Sequence, residues 1–341
     1  MPVYLTRAVD TPASVARRFS LPVEELCRLN GLEDRRRLTE GLALYLPEEG
    51  QPVRSLELLG CPYEPLPAAR RAALLPRLSW WAGGETPGEA EAVGAAPLLL
   101  RAGWTRGGGW SAETVHAWLQ DRETADTLVR EVGEGAYSGL YWLLGEAHPF
   151  DARPLAAMTE ALAEKLHAAG KYLFLGLSVE AETLFPAAAA ADRVVLLAPA
   201  SFPSGPLPRP NAPLDALTDQ LMRAVGILPA DRLLLGLSAY GTCWDARGPV
   251  PITQAAALHL AVASGAPVCW DAQAGECRFR CPDALGQPRT VWFEDLRAFR
   301  ARVELVDALG LIGLALQSAP LPCTASWSWL HSRYEVRTAP M

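Results

Sequence analysis

Eight short apolar runs follow one another along the greater part of the chain, and stretches with helical spacing lie between most of them. The runs that predict strands are 56–59, 77–81, 97–101, 139–144, 172–177, 193–197, 232–237 and 311–316. The stretches that predict helices are 112–132, 155–169, 214–225 and 293–309. Because buried strands that alternate with helices are typical of a (β/α)8 barrel, the pattern predicts an α/β fold of the TIM-barrel type.

The stretch between the seventh and eighth predicted strands is too long for a single helix. It contains a further helical stretch and three apolar segments, at 253–264, 268–271, 277–281 and 290–293. We therefore expect a small α+β insertion at about residues 246–292. The predicted boundaries are 1–48 for an N-terminal domain, 49–54 for a linker and 55–335 for the barrel.

The N-terminal segment has a pattern of its own. Strands are predicted at 3–5 and 42–46, and helices at 13–19 and 22–29. Asp10 and Thr11 are good residues for the N-cap of the first helix, and Pro22 suits the first turn of the second. Asn30 and Gly31 then end the second helix, since both accept a left-handed backbone. The segment is predicted to fold as a small βααβ domain.

The composition of the 341-residue chain, 50% hydrophobic and 20% charged, is that of a globular protein with a large core. Its formal net charge of −7 argues against nucleic acid as a partner, since nucleic-acid-binding proteins usually have a basic face. No run of about 18 apolar residues predicts a membrane span. The N-terminus lacks the pattern of a signal peptide, so we expect synthesis in the cytoplasm.

Seven cysteines fit free thiols in a reducing compartment. Cys277 and Cys281 are separated by three residues, but a zinc site would need a second ligand pair, and no histidine lies nearby. We interpret the two cysteines as residues of one short strand, and we expect neither a metal nor another cofactor.

A set of positions spread over the N-terminal segment matches one known pattern. The set comprises Tyr4, Asp10, Thr11, Val15, Ala16, Phe19, Leu26, Asn30, Leu32, Leu38, Gly41 and 44–47. It resembles a LysM module, with Val9 where that family usually has glycine, and this implies binding of N-acetylglucosamine-containing glycans such as peptidoglycan and chitin. The implied groove residues are Asp10, Thr11, Pro12, Asn30, Gly31 and Leu32. Alternatively, Asp10 and Asn30 serve only as helix caps.

Three segments towards the C-terminus carry a second resemblance. They are 233–241, which reads Leu-Leu-Leu-Gly-Leu-Ser-Ala-Tyr-Gly, 291–295, which reads Val-Trp-Phe-Glu-Asp, and 310–316. They are similar to segments of family-18 glycoside hydrolases from spore-forming bacteria. Those proteins are LysM-bearing N-acetylglucosaminidases that act on spore cortex and also lack signal peptides. The resemblance implies peptidoglycan as a partner, synthesis in the mother cell and deposition on the spore envelope, with spore proteins as further candidate partners.

The fourth predicted strand departs from that family at the catalytic motif, D-G-x-D-x-D-x-E. Gly139 matches the glycine of the motif. Ser138, Tyr141 and Leu143 stand at the three aspartate positions. Gly145 stands where the family has a glutamic acid, which by resemblance protonates the leaving oxygen while the N-acetyl oxygen of the sugar attacks the anomeric carbon. Glycine has no side chain that can donate a proton to the leaving oxygen.

Two more strands lack the residues that hold the sugar in the family. Pro199 and Ala200 replace a tyrosine and an aspartate after the sixth strand, and Gln317 takes the place of a tryptophan on the eighth. Because three separate strands have changed at one subsite, we interpret the chain as a glycosidase scaffold without its chemistry. No residue is therefore assigned a catalytic role.

A relocated acid is the alternative. Glu146 lies one residue beyond the empty position, at a strand end where the alternation of side chains relaxes. Other acids just past strand ends, where barrel enzymes place catalytic groups, are Asp151, Glu180, Glu182 and Asp245. A pair such as Glu146 with Glu180 would make an active hydrolase of the N-acetylglucosaminidase type. Otherwise these acids are solvated loop residues and helix caps.

Several aromatic residues are expected near the C-terminal end of the barrel, where rings stack on sugars or contact a protein partner. Trp104 and Trp110 follow the third strand. The residues predicted at the barrel mouth are Trp80, Trp81, Glu180, Tyr240, Trp244 and Gln317. Within the fourth strand, we expect Tyr141 or Trp142 to fill the space inside the barrel that the carboxylates of the family would occupy. A further two residues, His148 and His331, have no sequence partner that suggests catalysis.

The leading hypothesis is a non-catalytic protein, made of a LysM module and a degenerate family-18 barrel, that binds peptidoglycan-type glycan. An active hydrolase that uses Glu146 is the first alternative, and a protein-interaction scaffold of the spore is the second. The leading hypothesis predicts binding of glycan without turnover. The active hydrolase predicts release of reducing sugar, and the scaffold predicts neither.

Overall fold

The computed structural model describes residues 3–47, 54–62, 65–83, 87–103, 110–145, 147–198, 207–238, 240–317 and 324–339. The strands are β1 Val3–Leu5, β2 Ala43–Tyr45, β3 Arg54–Cys61, β4 Trp80–Trp81, β5 Ala96–Ala102, β6 Gly139–Gly145, β7 Tyr172–Ser178, β8 Arg193–Leu197, β9 Leu233–Ser238, β10 Tyr240–Asp245, β11 Gly248–Thr253, β12 Cys269–Asp271, β13 Glu276–Pro282, β14 Pro288–Phe293, β15 Gly313–Gln317 and β16 Tyr334–Val336. The α-helices are α1 Pro12–Arg18, α2 Val23–Asn30, α3 Ala68–Leu74, α4 Pro87–Glu91, α5 Ala112–Gln120, α6 Thr124–Glu134, α7 Ala152–Ala168, α8 Leu214–Val225, α9 Gln254–Ser264, α10 Leu296–Ala308 and α11 Thr324–Arg333. Among the helices in these ranges, none has the length and apolar character that a membrane span needs.

Eight parallel strands close into a barrel, which confirms the predicted (β/α)8 fold. Neighbouring strands follow the order β3, β4, β5, β6, β7, β8, β9 and β15, and β15 pairs back to β3. The closing register places Gly313 opposite Glu57 and Gln317 opposite Cys61. The apolar cluster inside the barrel comprises Leu59, Cys61, Trp80, Ala82, Leu98, Tyr141, Leu143, Phe174, Val195, Leu197, Leu234 and Ala315. The barrel is therefore a packed core rather than a channel.

Two predicted elements differ in length from those in the structure. The helix predicted at 112–132 is two helices, α5 and α6, because the chain turns at Asp121, whose carboxylate accepts a hydrogen bond from the backbone N–H of Glu123. The second barrel strand, β4, has only two residues, because a 3-10 helix that contains Pro76 comes shortly before it.

The N-terminal segment forms the predicted βααβ unit, with β1 antiparallel to β2. Thr11 is the N-cap of α1 and forms a capping box with Ser14. Helix α2 ends at Gly31, which has the left-handed φ of +62°. Asp10 and Asn30 cap neither helix, contrary to one prediction, because Thr11 and Gly31 have those roles.

Between β9 and α10, five antiparallel strands and α9 form the predicted α+β insertion. The strand order is β11, β10, β14, β13 and β12. The sheet begins at Tyr240, earlier than the predicted residue 246, because β10 is the first arm of a hairpin in which Tyr240 pairs with Thr253.

The insertion and the N-terminal unit share one hydrophobic core. Its buried members include Val15, Leu26, Leu42 and Leu44 of the unit and Ala257, Ala261, Val268, Phe279 and Phe293 of the insertion. The hydroxyl of Thr39 donates to the carbonyl of Ala266 at 2.7 Å, and the N–H of Val268 donates to the carbonyl of Glu40 at 2.8 Å. A Cβ at Gly41, where φ is +84°, would lie 1.9 Å from the Val268 carbonyl oxygen, so this close approach requires glycine.

A buried ionic network joins the insertion to helix α10. Arg302 is fully buried; its Nη2 lies 3.2 Å from Oε1 of Glu276, and its Nε lies 2.9 Å from Oε1 of Glu294. The same guanidinium donates to the carbonyl oxygens of Ala212 and Gly275. Glu276 also accepts a hydrogen bond from the backbone N–H of Ala212 at 2.8 Å. Removal of one partner from such a network is strongly destabilising, because it leaves a buried charge without compensation.

Arg302→Met should destabilise the protein by about 3–5 kcal/mol, because the carboxylate of Glu276 would stay buried without its counter-charge. Urea denaturation followed by tryptophan fluorescence measures this change. Arg247→Met is the matched control, since Arg247 is exposed and pairs with Asp245 at the surface, where an ion pair contributes about 0–1 kcal/mol. Equal destabilisation by both substitutions would contradict a special role for Arg302.

The carboxyl group of Glu294 should make stability depend on pH. Burial outweighs the attraction of Arg302 and raises the pKa of Glu294 from 4.5 to about 7. Between these two values the unfolded chain has lost the proton while the folded protein keeps it, so the free energy of unfolding falls as pH rises. Glu294→Gln removes this contribution, and urea titrations from pH 4.5 to 7 should then show a flatter profile than the parent protein. An identical profile would refute the assignment.

Candidate functional site

The C-terminal ends of the barrel strands hold a pocket of about 250 Å³. Its described lining residues are Trp110, Gly145, Ala147, Pro149, Ser178, Glu180, Ala181, Thr183, Leu184 and Leu197. They come from the ends of β6, β7 and β8, from the segments after β6 and β7, and from the segment before α5, so the pocket lies to one side of the barrel axis. This end of the barrel is where enzymes of the fold have their sites.

Gly145, which the sequence resemblance predicts at the position of a proton donor, is the last residue of β6 and has the left-handed φ of +62°. The pairing of β6 with β7 is irregular between Leu143 and Gly145. A Cβ built on Gly145 would lie 2.2 Å from the ring of Trp110, which covers the position. A larger residue at 145 therefore meets both backbone strain and a steric clash.

The barrel axis below this position is filled. Tyr141 and Leu143 are fully buried, and Gln317 is 2% exposed. The side-chain amide of Gln317 donates a hydrogen bond to the hydroxyl of Tyr141. A Cβ at Gly176 on the next strand would approach Leu143 to 2.5 Å and the Tyr141 hydroxyl to 2.9 Å, so these side chains already occupy the space. Tyr141 thus fills the interior, whereas Trp142 packs outside the barrel against Trp118 of α5.

Trp80 and Trp81 do not lie at the mouth, contrary to the prediction. Trp80 is inside the barrel, and its Nε1 donates to Glu57 at 3.0 Å. Glu57 also accepts two hydrogen bonds from Arg193, at 2.9 and 2.7 Å. Because Glu57 and Arg193 belong to the first halves of β3 and β8, Trp80 points towards the opposite end of the barrel. Trp81 is buried outside the barrel wall.

Of the four described acids predicted near strand ends, Glu180 borders the pocket and is exposed. The other three form pairs: Glu182 with Arg223 at 2.9 Å, Asp245 with Arg247 at 2.8 Å, and Asp151 with His116 at 2.7 Å. Asp151 is completely buried, so it joins α5 to the start of α7 rather than facing the pocket. The remaining candidate, Glu146, lies outside the described residues, as do Trp104, Pro199 and Ala200.

Two other residues predicted at the mouth belong to the insertion sheet. Tyr240 begins β10, and its carbonyl accepts a hydrogen bond from the side chain of Asn211 at 3.2 Å. Trp244 is 3% exposed and packs with Ala274 and Trp292. Neither is among the described lining residues of the pocket.

The two histidines also have structural surroundings. His148 stacks on Phe150, with ring centroids 4.8 Å apart, and His331 stacks on Trp327 at 5.4 Å. Burial lowers the pKa of His331 to about 4, so this residue is neutral at pH 7.

In the N-terminal unit, Asp10 is buried and accepts hydrogen bonds from the hydroxyl of Tyr4 and the N–H of Arg7, both at 2.7 Å. These bonds and the nearby Arg18 outweigh the opposing effect of burial and lower the pKa of Asp10. The carboxylate thus holds the loop between β1 and α1 in a fixed conformation.

Asn30 has a similar internal role. It is 3% exposed, accepts the N–H of Tyr45 at 2.6 Å and donates to the carbonyls of Leu26 and Tyr45. The other predicted groove residues range from exposed to buried: Thr11 and Gly31 exposed, Leu32 half-buried and Pro12 buried. Their contact with glycan stays a prediction.

Two further lining residues, Ser178 and Thr183, were not predicted from the sequence. Ser178 had a detectable signal, because a polar residue that ends a buried barrel strand faces the functional end of the fold. Thr183 lies in a 3-10 helix that no apolar period predicts.

The chain matches no profile of a known protein family. It is similar to the cortical fragment-lytic enzyme of Bacillus subtilis, with 28% identity over 151 residues, which are 42% of this chain and 35% of that protein. It is also similar to a protein named sporulation-specific glycosylase YdhD of the same species, with 24% identity over 63% of this chain and 57% of that protein. The chain therefore spans about a third and just over half of the lengths of these relatives.

Solved structures share the fold. The spore cortex-lytic enzyme SleL of Bacillus megaterium superimposes with a TM-score of 0.87 at 18% identity, over 99% of both chains. A chitinase from Chromobacterium violaceum gives a TM-score of 0.72 at 22% identity, over 82% of this chain and 98% of that one. The described chain thus has the fold of spore cortex-lytic enzymes and chitinases, which confirms the structural part of the family resemblance.

Gly145→Ala should destabilise the protein by about 1–3 kcal/mol, because alanine at a positive φ is strained and its Cβ meets the ring of Trp110. Urea denaturation measures the change. Gly133→Ala is the control: this glycine lies in α6, and a Cβ there meets nothing within 4 Å. That substitution should leave stability unchanged or raise it by up to about 1 kcal/mol. An unchanged free energy of unfolding for Gly145→Ala would contradict both the strain at this φ and the close contact with Trp110.

Proposed function

We propose that this chain is a non-catalytic glycan-binding protein with a glycosidase fold, and that its ligand is peptidoglycan or another N-acetylglucosamine-containing glycan. The observation that carries the proposal is the ring of Trp110 over Gly145, at the position where family-18 hydrolases have their proton donor. A site whose acid has been replaced by a covered glycine has no group there for protonation of a leaving oxygen.

The packing of the axis supports the absence of hydrolysis. Substrate-assisted cleavage needs space for the acetamido group of the sugar and carboxylates that orient it. Here Tyr141, Leu143 and Gln317 occupy that region, and none of them carries a charge. Loss of a general acid alone lowers a rate by about 10²–10⁴, and loss of the electrostatic partners lowers it further.

We propose the βααβ unit as a LysM-type glycan-binding part of the chain. Asp10 accepts a hydrogen bond from the N–H of Arg7, and Asn30 accepts one from the N–H of Tyr45, so two loops of the unit are held in fixed conformations. Thr11 and Gly31 are exposed on those loops, and Val9 beside them is 86% exposed. A preformed surface of this kind favours binding, because little conformational entropy is lost when a ligand arrives.

The relatives suggest the setting. A cortical fragment-lytic enzyme and a sporulation-specific glycosylase are among the proteins that the sequence resembles, and a spore cortex-lytic enzyme shares the fold over nearly the whole chain. We propose that this chain acts in sporulation or in the spore envelope, with cortex peptidoglycan as its glycan.

An active hydrolase is a second candidate function, and the position of Glu180 at the pocket favours it. Most glycoside hydrolases use two carboxyl groups about 5–10 Å apart, so Glu180 would need a partner, for which Glu146 is the candidate. A protein-interaction scaffold is a third, favoured by Phe150, which is 67% exposed beside the pocket-lining Pro149.

The three functions predict different results with cortex peptidoglycan and N-acetylglucosamine oligomers. We expect the full chain to sediment with insoluble peptidoglycan and to release no reducing sugar above the rate without protein. An active family-18 chitinase is the positive control for cleavage. Cleavage that Glu146→Gln abolishes would establish the hydrolase and refute our proposal. Neither cleavage nor sedimentation would refute it in favour of the protein scaffold.

A further inference from the structure

The pocket at the barrel mouth is small. Its volume of about 250 Å³ lies below the roughly 300–1,000 Å³ of sites for drug-sized ligands. It is also displaced from the axis, where Tyr141, Leu143 and Gln317 leave no room for an acetamido group. A ligand of this pocket therefore places one small ring beside Trp110 and Glu180, rather than an acetylated ring on the axis.

The charge of the pocket favours a cation. Glu180 is the one charged residue among the described lining residues, and it is exposed. The nearest acid in sequence, Glu182, is instead paired with Arg223 at 2.9 Å. Because none of the described lining residues is cationic, a carboxylate at this pocket favours positive charge over negative charge in a ligand.

The rest of the lining suits an ammonium group on a sugar. Trp110 contributes an indole ring, the aromatic side chain that attracts cations most strongly. Ser178 and Thr183 add hydroxyls that accept and donate hydrogen bonds to sugar hydroxyls. The apolar wall of Ala147 and Leu184 fits the C–H face of a pyranose ring.

We infer that this pocket recognises a positively charged amino sugar, a glucosamine unit that carries a free ammonium in place of the acetamido group. The inference rests on the proposed function, in that the barrel binds glycan without cutting it. Trp110 supplies the aromatic wall, Glu180 the counter-charge, and Ser178 with Thr183 the hydroxyl contacts. The chain thus distinguishes de-N-acetylated glycan from acetylated glycan.

Isothermal titration calorimetry at pH 6 and low ionic strength tests this with the full chain. The three ligands are the glucosamine tetramer, the N-acetylglucosamine tetramer and 1,5-diaminopentane, which has the charge without the ring. We expect the glucosamine tetramer to bind about tenfold more tightly than the acetylated one, the size of one cation–π contact with a charge-assisted hydrogen bond. Glu180→Gln should abolish that difference, and 0.5 M NaCl should reduce it.

Glu182→Gln is the matched control, because it removes a neighbouring negative charge that does not border the pocket. It should leave the preference intact. Equal affinities for the two tetramers, or a preference that survives Glu180→Gln, would overturn the inference. Diaminopentane that binds as tightly as the glucosamine tetramer would overturn the sugar assignment. In any of these cases, sedimentation with peptidoglycan would still support the proposed function, so the two failures are distinguishable.

Discussion

The buried guanidinium of Arg302 holds together parts of the molecule that are distant in sequence. It extends from α10, its carboxylate partners come from β13 and from the residue after β14, and it donates to the carbonyl of Ala212 before α8. A long insertion at the rim of a barrel would otherwise be fixed mainly by its two chain connections. Because desolvated charges tolerate little displacement, this network sets the orientation of the insertion on the barrel. The N-terminal unit packs on the same insertion, so its position also depends on these charges.

The barrel interior fits our proposal that the glycosidase fold is retained without its chemistry. A (β/α)8 barrel needs its interior filled, and the nature of the filling residues matters less than their volume. Tyr141 and Leu143, which the sequence resemblance places at carboxylate positions, provide apolar volume, and the side-chain amide of Gln317 donates a hydrogen bond to the hydroxyl of Tyr141. Substitutions of this kind remove ionisable groups that are destabilising when they lack partners. The same side chains that fill the core also occupy the barrel axis.

Much of the fold was predictable from local patterns, and parts of the site were not. The eight barrel strands and the βααβ unit follow from apolar runs and from capping residues such as Thr11 and Gly31, whose effect is confined to a few neighbours in sequence. The lack of an acidic side chain at position 145 was also evident from the sequence. That Trp110 covers this glycine could not be predicted, because the contact joins the end of β6 to the segment before α5.

Trp80 was misplaced for a related reason. A two-residue strand has no alternation from which the direction of a side chain follows, and its hydrogen bond to Glu57 appears only in the closed barrel. Asp10 resembled a cap or a ligand, yet its carboxylate is directed inwards to Tyr4 and Arg7. A sequence pattern identifies residues that can make such bonds but not the partners that the fold provides.

The core shared by the N-terminal unit and the insertion has a consequence for how such proteins change over time. Modules that contact each other weakly can be gained, lost or exchanged by recombination without harm to their neighbours. Here the close approach of Gly41 to Val268 and the common apolar cluster mean that removal of the first 47 residues would expose the buried face of the insertion to water. The two parts are therefore expected to be inherited as one, and the N-terminal unit cannot change its position independently of the insertion on which it packs.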